Sequence, residues 1–177
     1  MGFLREVFQQ NKKVVSFLLF FFGSYIFLSM VYHLYLQTSL KPDFFTRLVA
    51  VQSQKITQTL GYDTSLQTVE DAQLVRYFIE GNYVVKIIEG CNGISVMILF
   101  MAFVIAFRGK FTATILFIIA GLTVIYSFNL MRIAALAIGI LEYPEYENLL
   151  HDIFFPGVIY GTVFLLWVIW VKQVSKS

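Results

Sequence analysis

Three residues of this 177-residue chain could together carry out covalent catalysis: its only cysteine, Cys91, together with Arg132 and His151. A cysteine thiolate is a strong nucleophile, and a helix N-terminus or a nearby guanidinium favours its ionised form. An arginine keeps its positive charge in a protein and can stabilise the oxyanion of a tetrahedral intermediate. A histidine can accept a proton in one step and return it to a leaving amine in the next. We therefore predict that these three residues are catalytic.

Neighbouring residues are of types that would support this chemistry. Asn129 precedes Arg132 by about one helical turn and would share its helix face. Gly93 leaves space around the cysteine and lets a substrate backbone approach closely. Glu89 could orient the arginine or the histidine. We therefore predict three supporting residues: Asn129, Glu89 and Gly93.

Each residue taken alone also has a simpler structural explanation. A lone cysteine such as Cys91 often behaves as a small apolar residue in a helix end. Arg132 could extend its guanidinium to the lipid phosphates, and His151 could cap a helix together with Asp152. His33 has no comparable partners, and we expect it to be structural. A common location of the first three residues would favour one site over three unrelated roles.

The composition excludes a soluble globular domain. Hydrophobic residues make up 58% of the chain and charged residues 14%, whereas soluble domains carry roughly 25% charged residues. Four stretches without Asp, Glu, Lys or Arg are each long enough to cross a membrane once. We predict a single membrane domain over residues 1–177, an all-α polytopic fold with four transmembrane helices. The predicted spans lie near 14–36, 90–107, 111–131 and 153–171.

The positions of the basic residues predict the orientation in the cytoplasmic membrane. Basic residues that flank apolar stretches usually lie on the cytoplasmic side. Both termini and the 108–110 link are therefore expected to be cytoplasmic, and the segments 37–89 and 132–152 are expected to face outward. The net charge of +2 reflects this topology and does not indicate nucleic-acid binding. The basic residues behind this prediction are Arg5, Lys12, Lys13, Arg108, Lys110, Lys172 and Lys176.

This topology places the three chemically active residues in one layer. Cys91 lies at the start of the second span, Arg132 follows the third, and His151 precedes the fourth. If all three spans cross the membrane, these ends lie on the same side, and packed helices would bring them close together. The shared location favours a single site at the outer membrane surface.

The outward-facing segment 37–89 is predicted to contain two soluble-type elements. Apolar residues recur at roughly helical spacing from Phe44 to Leu60, which indicates an amphipathic helix on the outer leaflet. The β-branched and aromatic stretches 74–80 and 83–88 flank Gly81-Asn82, which indicates a small β-hairpin. An edge of this hairpin could pair with an extended substrate strand.

The order and spacing of these motifs resemble a known family. Cys91-Asn92-Gly93 is followed by Asn129-Leu130-Met131-Arg132 and then by His151. The same order is found in the exosortase and archaeosortase family of membrane cysteine transpeptidases. The resemblance covers roughly residues 75–171, and the small size is most similar to the exosortase F group. Larger members of the family have about twice as many helices.

The resemblance implies an enzyme that acts on exported proteins. Cys91 would be the nucleophile, Arg132 and His151 its partners, and Asn129 a supporting group. Its substrates would carry a C-terminal sorting signal with a transmembrane helix and a basic tail, and the acyl group would pass through a thioester to a surface amine acceptor. Beyond substrate and membrane lipid, the residues predict no cofactor, metal or nucleic-acid partner.

Two other classes of function remain open from the sequence. The first is a non-enzymatic membrane scaffold or accessory subunit of an export or surface-assembly system, in which Cys91 is incidental. The second is a thiol-redox protein that pairs Cys91 with a cysteine of a partner, since the chain offers no second cysteine.

Overall fold

The computed structural model describes residues 11–39, 42–107 and 109–175. Three basic residues of the topology argument, Arg5, Arg108 and Lys176, lie outside these ranges. The described chain is mostly helical and contains one small β-sheet. The main elements are α1 Lys12–Thr38, α2 Phe44–Thr59, β1 Thr64–Val69, β2 Leu74–Ile79, β3 Asn82–Ile87, α3 Ile94–Ala106, α4 Phe111–Glu142 and α5 Phe155–Ser175.

Three helical segments among the described residues are long and apolar enough to cross a membrane. They are α1, α4 and the run Pro144–Val174, which includes α5. The predicted membrane-protein class is therefore confirmed. Helix α3 has 13 residues and a length of about 20 Å, less than the roughly 30 Å of a hydrocarbon core. Helix length alone therefore does not confirm the predicted count of four spans.

Helix α4 is longer than the predicted span 111–131. It has 32 residues and a length of about 48 Å, so it continues through Arg132 to Glu142. Arginine is a good helix former, and the apolar residues after it are buried against the sheet and helix α2. The helix ends before Pro144, which disfavours helical geometry in the preceding residue. Much of the segment 132–152, which we predicted to face outward, is therefore helical.

The predicted hairpin is present and carries a third strand that we did not predict. The sheet is antiparallel in the order β1-β2-β3, so β3 is an edge strand. Glu80 and Gly81 form the two-residue loop between β2 and β3, and both have a positive φ, 51° for Glu80 and 76° for Gly81. The turn thus lies one residue earlier than predicted. A register irregularity beside Tyr77 and Phe78 gives β3 one extra residue, Val84.

The predicted amphipathic helix is also present, and its small residues form much of the contact with the sheet. Val49, Ala50 and Ser53 are buried, whereas the larger Phe44 is 58% exposed. Small side chains let α2 lie close to the sheet. The hydroxyl of Tyr77 on β2 therefore reaches the helix and donates to Thr57 Oγ1 at 2.8 Å. Burial raises the pKa of Tyr77, which keeps this hydroxyl protonated as a donor. The position of the helix on a leaflet stays a prediction.

The packing of α3 against α4 depends on the absence of a side chain at Gly121. A Cβ atom there would lie 2.2 Å from Cζ of Phe100, whose side chain is fully buried. We expect Gly121→Ala to destabilise the protein by roughly 1–3 kcal/mol or more, because the ring has no free space to enter. Thermal unfolding in detergent should show a clearly lower midpoint.

Gly161→Ala in α5 is the matched control, since a Cβ atom there meets no atom within 4 Å. Its unfolding midpoint should stay close to that of the wild type. Equal midpoints for both variants would show that α3 and α4 do not pack as closely as described.

Candidate active site

The structure brings Cys91, Arg132 and His151 together around one cavity of about 330 Å³. The cysteine comes from the turn before α3, the arginine from α4 and the histidine from the segment before α5. Residues 83–87 of β3, an apolar strip of α4, and Glu147 and Asn148 complete the walls. Elements far apart in sequence therefore bring the three predicted catalytic side chains to a common space.

Cys91 lies on a 3₁₀ turn, Glu89–Cys91, and not inside a helix. Its side chain is half-buried against the apolar cluster between the sheet and α4. Gly93, with φ of 80°, separates this turn from α3, which begins at Ile94 and not at the predicted residue 90. Glycine reaches this left-handed conformation without steric cost, which explains why the helix starts late. The thiol therefore precedes the helix by three residues.

Asn129 fixes the backbone of the cysteine turn to α4. Its Nδ2 donates to the carbonyl oxygen of Cys91 at 2.9 Å, and its side chain is fully buried. Gly93 packs directly on this amide, since a Cβ atom on Gly93 would lie 3.2 Å from Asn129 Cγ. Two of the three predicted supporting residues, Asn129 and Gly93, therefore contact the cysteine turn or each other, and their arrangement suits a positioning function.

Arg132 follows Asn129 on the same face of α4 and reaches the cavity. Its Nε is buried and has no hydrogen-bond partner in the part of the chain that the structure describes. A buried N–H group without a hydrogen-bond partner lowers the stability of the folded protein. A negatively charged oxygen in the cavity would accept a hydrogen bond from this group. The arginine therefore has unused capacity to bind an anionic oxygen.

His151 lies in a π-helical turn, Leu150–Phe154, just before α5. Pro156 has no N–H to donate to the carbonyl of residue 152, which favours a local departure from α-helical pairing. The Nδ1 of His151 lies 2.7 Å from Oδ1 of Asp152. Because an ionised carboxylate only accepts, Nδ1 carries the hydrogen, and Nε2 is left to accept a proton.

Asp152 does not line the cavity, but it is the partner of a predicted catalytic residue, and the sequence prediction treated it only as a helix cap. Its carboxylate orients the imidazole, as in hydrolase sites where an acid fixes the histidine tautomer. Both side chains are more than half exposed, so the pair is accessible to solvent and ligand. The sequence signal for this contact was an acidic residue directly after the histidine. Sequence alone does not distinguish such a residue from one that caps a helix.

The structure does not bring Glu89 to this cavity. Glu89 is exposed and lines a separate cavity with Leu36 and Asp43. A 3₁₀ turn has three residues per turn, so positions 89 and 91 point in different directions. The expectation that Glu89 orients Arg132 or His151 therefore has no support in the geometry.

His33 also lies elsewhere. It is on α1, where its Nε2 is 3.0 Å from Nε2 of Gln37 on the next turn. This local contact agrees with the structural role that we predicted for it.

A buried polar network behind the cysteine turn was missed by the sequence prediction. Asn92 is 1% exposed; its Oδ1 accepts from the N–H of Ile94 at 3.0 Å, and its Nδ2 donates to the hydroxyl of Tyr32 at 2.7 Å. Nδ2 also lies near Thr46 Oγ1, which bonds the N-cap carboxylate of Asp43. The network ties α1, α2 and α3 together directly beside Cys91. The available signal was an Asn-Gly pair just before an apolar run.

Gly93 provides a test of how the turn is held. We expect Gly93→Ala to strain the backbone at φ of 80° and to push Asn129 away from the Cys91 carbonyl. Hydrogen exchange of the amides in the turn should become at least about tenfold faster, which corresponds to roughly 1.4 kcal/mol of lost local stability.

Gly90→Ala is a closely matched control on the other side of the cysteine, because a Cβ atom there meets open space. It should leave the exchange rates almost unchanged. Similar rates in both variants would mean that Gly93 and Asn129 do not hold the turn.

Comparison with known proteins gives a match to a family model. The family model described as transmembrane exosortase matches residues 9–171, which is most of the chain and includes the whole cavity. No curated protein matches the chain, and no solved structure matches it.

Proposed function

Because the chain belongs to the transmembrane exosortase family, we propose that it is a membrane-embedded cysteine protease or transpeptidase acting on the C-terminal sorting signals of exported proteins. The observation that carries the proposal is the cavity shared by Cys91, Arg132 and His151. A nucleophile, a permanent cation and an oriented proton acceptor are the groups that acyl transfer requires. The exosortase F subtype, suggested by the small size, is part of this proposal.

The first half of the reaction forms a thioester. The thiol proton of Cys91 passes to Nε2 of His151, and Sγ attacks the carbonyl carbon of the scissile peptide bond. Arg132 stabilises the negative charge that develops on the carbonyl oxygen. As the C–N bond breaks, His151 returns the proton to the leaving amine, which departs with the transmembrane helix of the substrate.

The second half releases the exported protein from Cys91. An amine acceptor, or water, attacks the thioester carbon after losing a proton to His151, and the proton then returns to the Cys91 thiolate. Attack by an amine gives transfer to a surface acceptor, and attack by water gives simple proteolysis. Both outcomes use the same three side chains.

We further propose that the site faces outward from the cytoplasmic membrane, with four spans and both termini in the cytoplasm. Arg132 lies about 32 Å along α4 from Phe111, close to the thickness of a hydrocarbon core. The cavity would then lie where a substrate leaves the lipid. Helix α3 would cross as a short span, which local thinning of the bilayer and the adjoining turns can accommodate.

The experiment that tests this function compares cells with and without the protein. Exported proteins that end in a single transmembrane helix and a basic tail are the substrates to monitor by intact mass. At least one should lose its C-terminal segment only when this protein is present. Unchanged masses across the whole set would contradict the enzyme and favour a scaffold.

The same cells test the orientation. A maleimide that cannot cross membranes should label Cys91 from outside in intact cells. Labelling only after the membrane is permeabilised would contradict the outward-facing site.

A further inference from the structure

We propose that the free edge of β3 binds the substrate as an added, parallel β-strand that leads its scissile bond to Cys91. This inference rests on the proposed function and names the binding mode of the same site. The occupant is the extended segment of an exported protein just before its C-terminal transmembrane helix.

The first argument is the shape of the cavity. Five consecutive residues of β3, 83–87, line it together with Cys91. Successive side chains of a strand point to opposite faces of a sheet, so a space over one face would contact only alternate residues. The extra residue Val84 interrupts this alternation once, but a space over one face would still miss part of the row. A cavity that contacts all five residues therefore indicates a space along the edge of the strand.

The second argument is the unpaired backbone of that edge. In the described chain β3 pairs with β2 alone, and no other backbone bond reaches residues 82–87. Unpaired N–H and C=O groups in a row are a template for another strand. Ile79 and Asn82 close a two-residue loop, so the next residue, Tyr83, is expected to direct its backbone groups outward. The extra residue Val84 shifts the alternation by one, so Lys86 is the next residue whose backbone groups face outward.

The third argument is the chain direction of β3 compared with that of the substrate. β3 runs into the turn that carries Cys91 and then into α3, so in the proposed topology its C-terminal end is nearest the membrane. A substrate with a C-terminal transmembrane helix also runs towards the membrane from N to C. The two strands are therefore parallel, and the residues before the scissile bond lie along β3.

Docking on β3 predicts a sequence pattern in the substrate. Backbone hydrogen bonds supply affinity, and alternate side chains supply specificity. One side of the groove is the apolar strip of α4 formed by Ile133, Leu136 and Ile140. Every second residue before the cleavage point should therefore be apolar. The segment stays paired with β3 while its carbonyl carbon is bound to Cys91.

Proline substitution tests whether the free edge of β3 binds the substrate. Lys86→Pro removes one outward N–H and should slow processing of the substrate found by intact mass at least about tenfold. Thr68→Pro, on the opposite edge strand β1, is the matched control and should keep processing within about twofold of the wild type. Maleimide labelling of Cys91 should stay at the wild-type rate in both, which shows that the site is intact.

Cross-linking provides a second measurement that does not depend on turnover. Tyr83→Cys in a Cys91→Ala background leaves one cysteine, on an exposed residue of β3. Single cysteines placed along the segment before the cleavage point of the substrate should form disulfides at every second position. Equal cross-linking at all positions, or at none, would overturn strand pairing.

The outcomes separate the two proposals. If processing requires Cys91 but Lys86→Pro has no effect and cross-links show no alternation, only the strand-docking proposal fails. If no exported protein changes mass through Cys91, the proposed function fails and the docking proposal fails with it.

Discussion

Cys91→Ala and Cys91→Ser should each abolish processing of the exported substrate while the protein stays inserted and folded. Removal of a catalytic nucleophile typically costs on the order of 10³-fold or more in rate, because the groups around it act as a unit. Serine is included because a hydroxyl in place of Cys91 is a much weaker nucleophile without dedicated activation. The measurement is the rate at which the substrate loses its C-terminal segment, followed by intact mass.

His33→Ala is a suitable control, because His33 lies on α1 and contacts Gln37 away from the cavity. It should process substrate at the wild-type rate. Continued processing by the two cysteine variants would show that the thiol is not the nucleophile. A scaffold function would then be the better explanation of the chain.

Replacement of Arg132 should produce the second large effect. Arg132→Ala removes the cation whose buried Nε has no partner among the described residues, and we expect a loss of about 10²- to 10³-fold in processing. Arg132→Lys should recover only a small part of this loss, since an ammonium group lacks the planar, forked geometry of a guanidinium. Processing rates of both variants are the measurement.

The lysine variant separates catalysis from lipid anchoring. An arginine that only contacts lipid phosphates would be replaced by lysine with little loss. Arg76→Ala is the control, because Arg76 is exposed on β2 and does not line the cavity. Full activity in Arg132→Lys would contradict oxyanion stabilisation by the guanidinium.

Much of the fold could be predicted because its signals are local. Long uncharged runs indicate α1, α4 and α5, and the stretches around Gly81 indicate the β2-β3 hairpin. The extent of α4 was underestimated because the prediction stopped at Arg132, although one charged residue does not end a helix. Strand β1 was missed because Thr64–Val69 is largely polar and exposed, and its pairing with β2 is a tertiary contact.

The site was partly predictable for a different reason. If the predicted second, third and fourth spans all cross the membrane, their parity would put Cys91, Arg132 and His151 on one side whatever the details of packing. Parity does not define distances, and it did not indicate that β3 forms a wall of the cavity. It also gave no signal for the network of Asn92, whose partners come from α1 and α2. Glu89 lines a different cavity because of the 3₁₀ geometry of its turn, which the sequence did not predict.

The most direct test of covalent catalysis by Cys91 is to trap the acyl intermediate. Hydroxylamine added during processing attacks a thioester carbon, so the released protein should carry a C-terminal hydroxamate that mass spectrometry detects. The hydroxamate should form with the wild-type protein and be absent with Cys91→Ala. A processed protein with only a free carboxylate, or a hydroxamate that still forms without Cys91, would contradict a thioester on this cysteine.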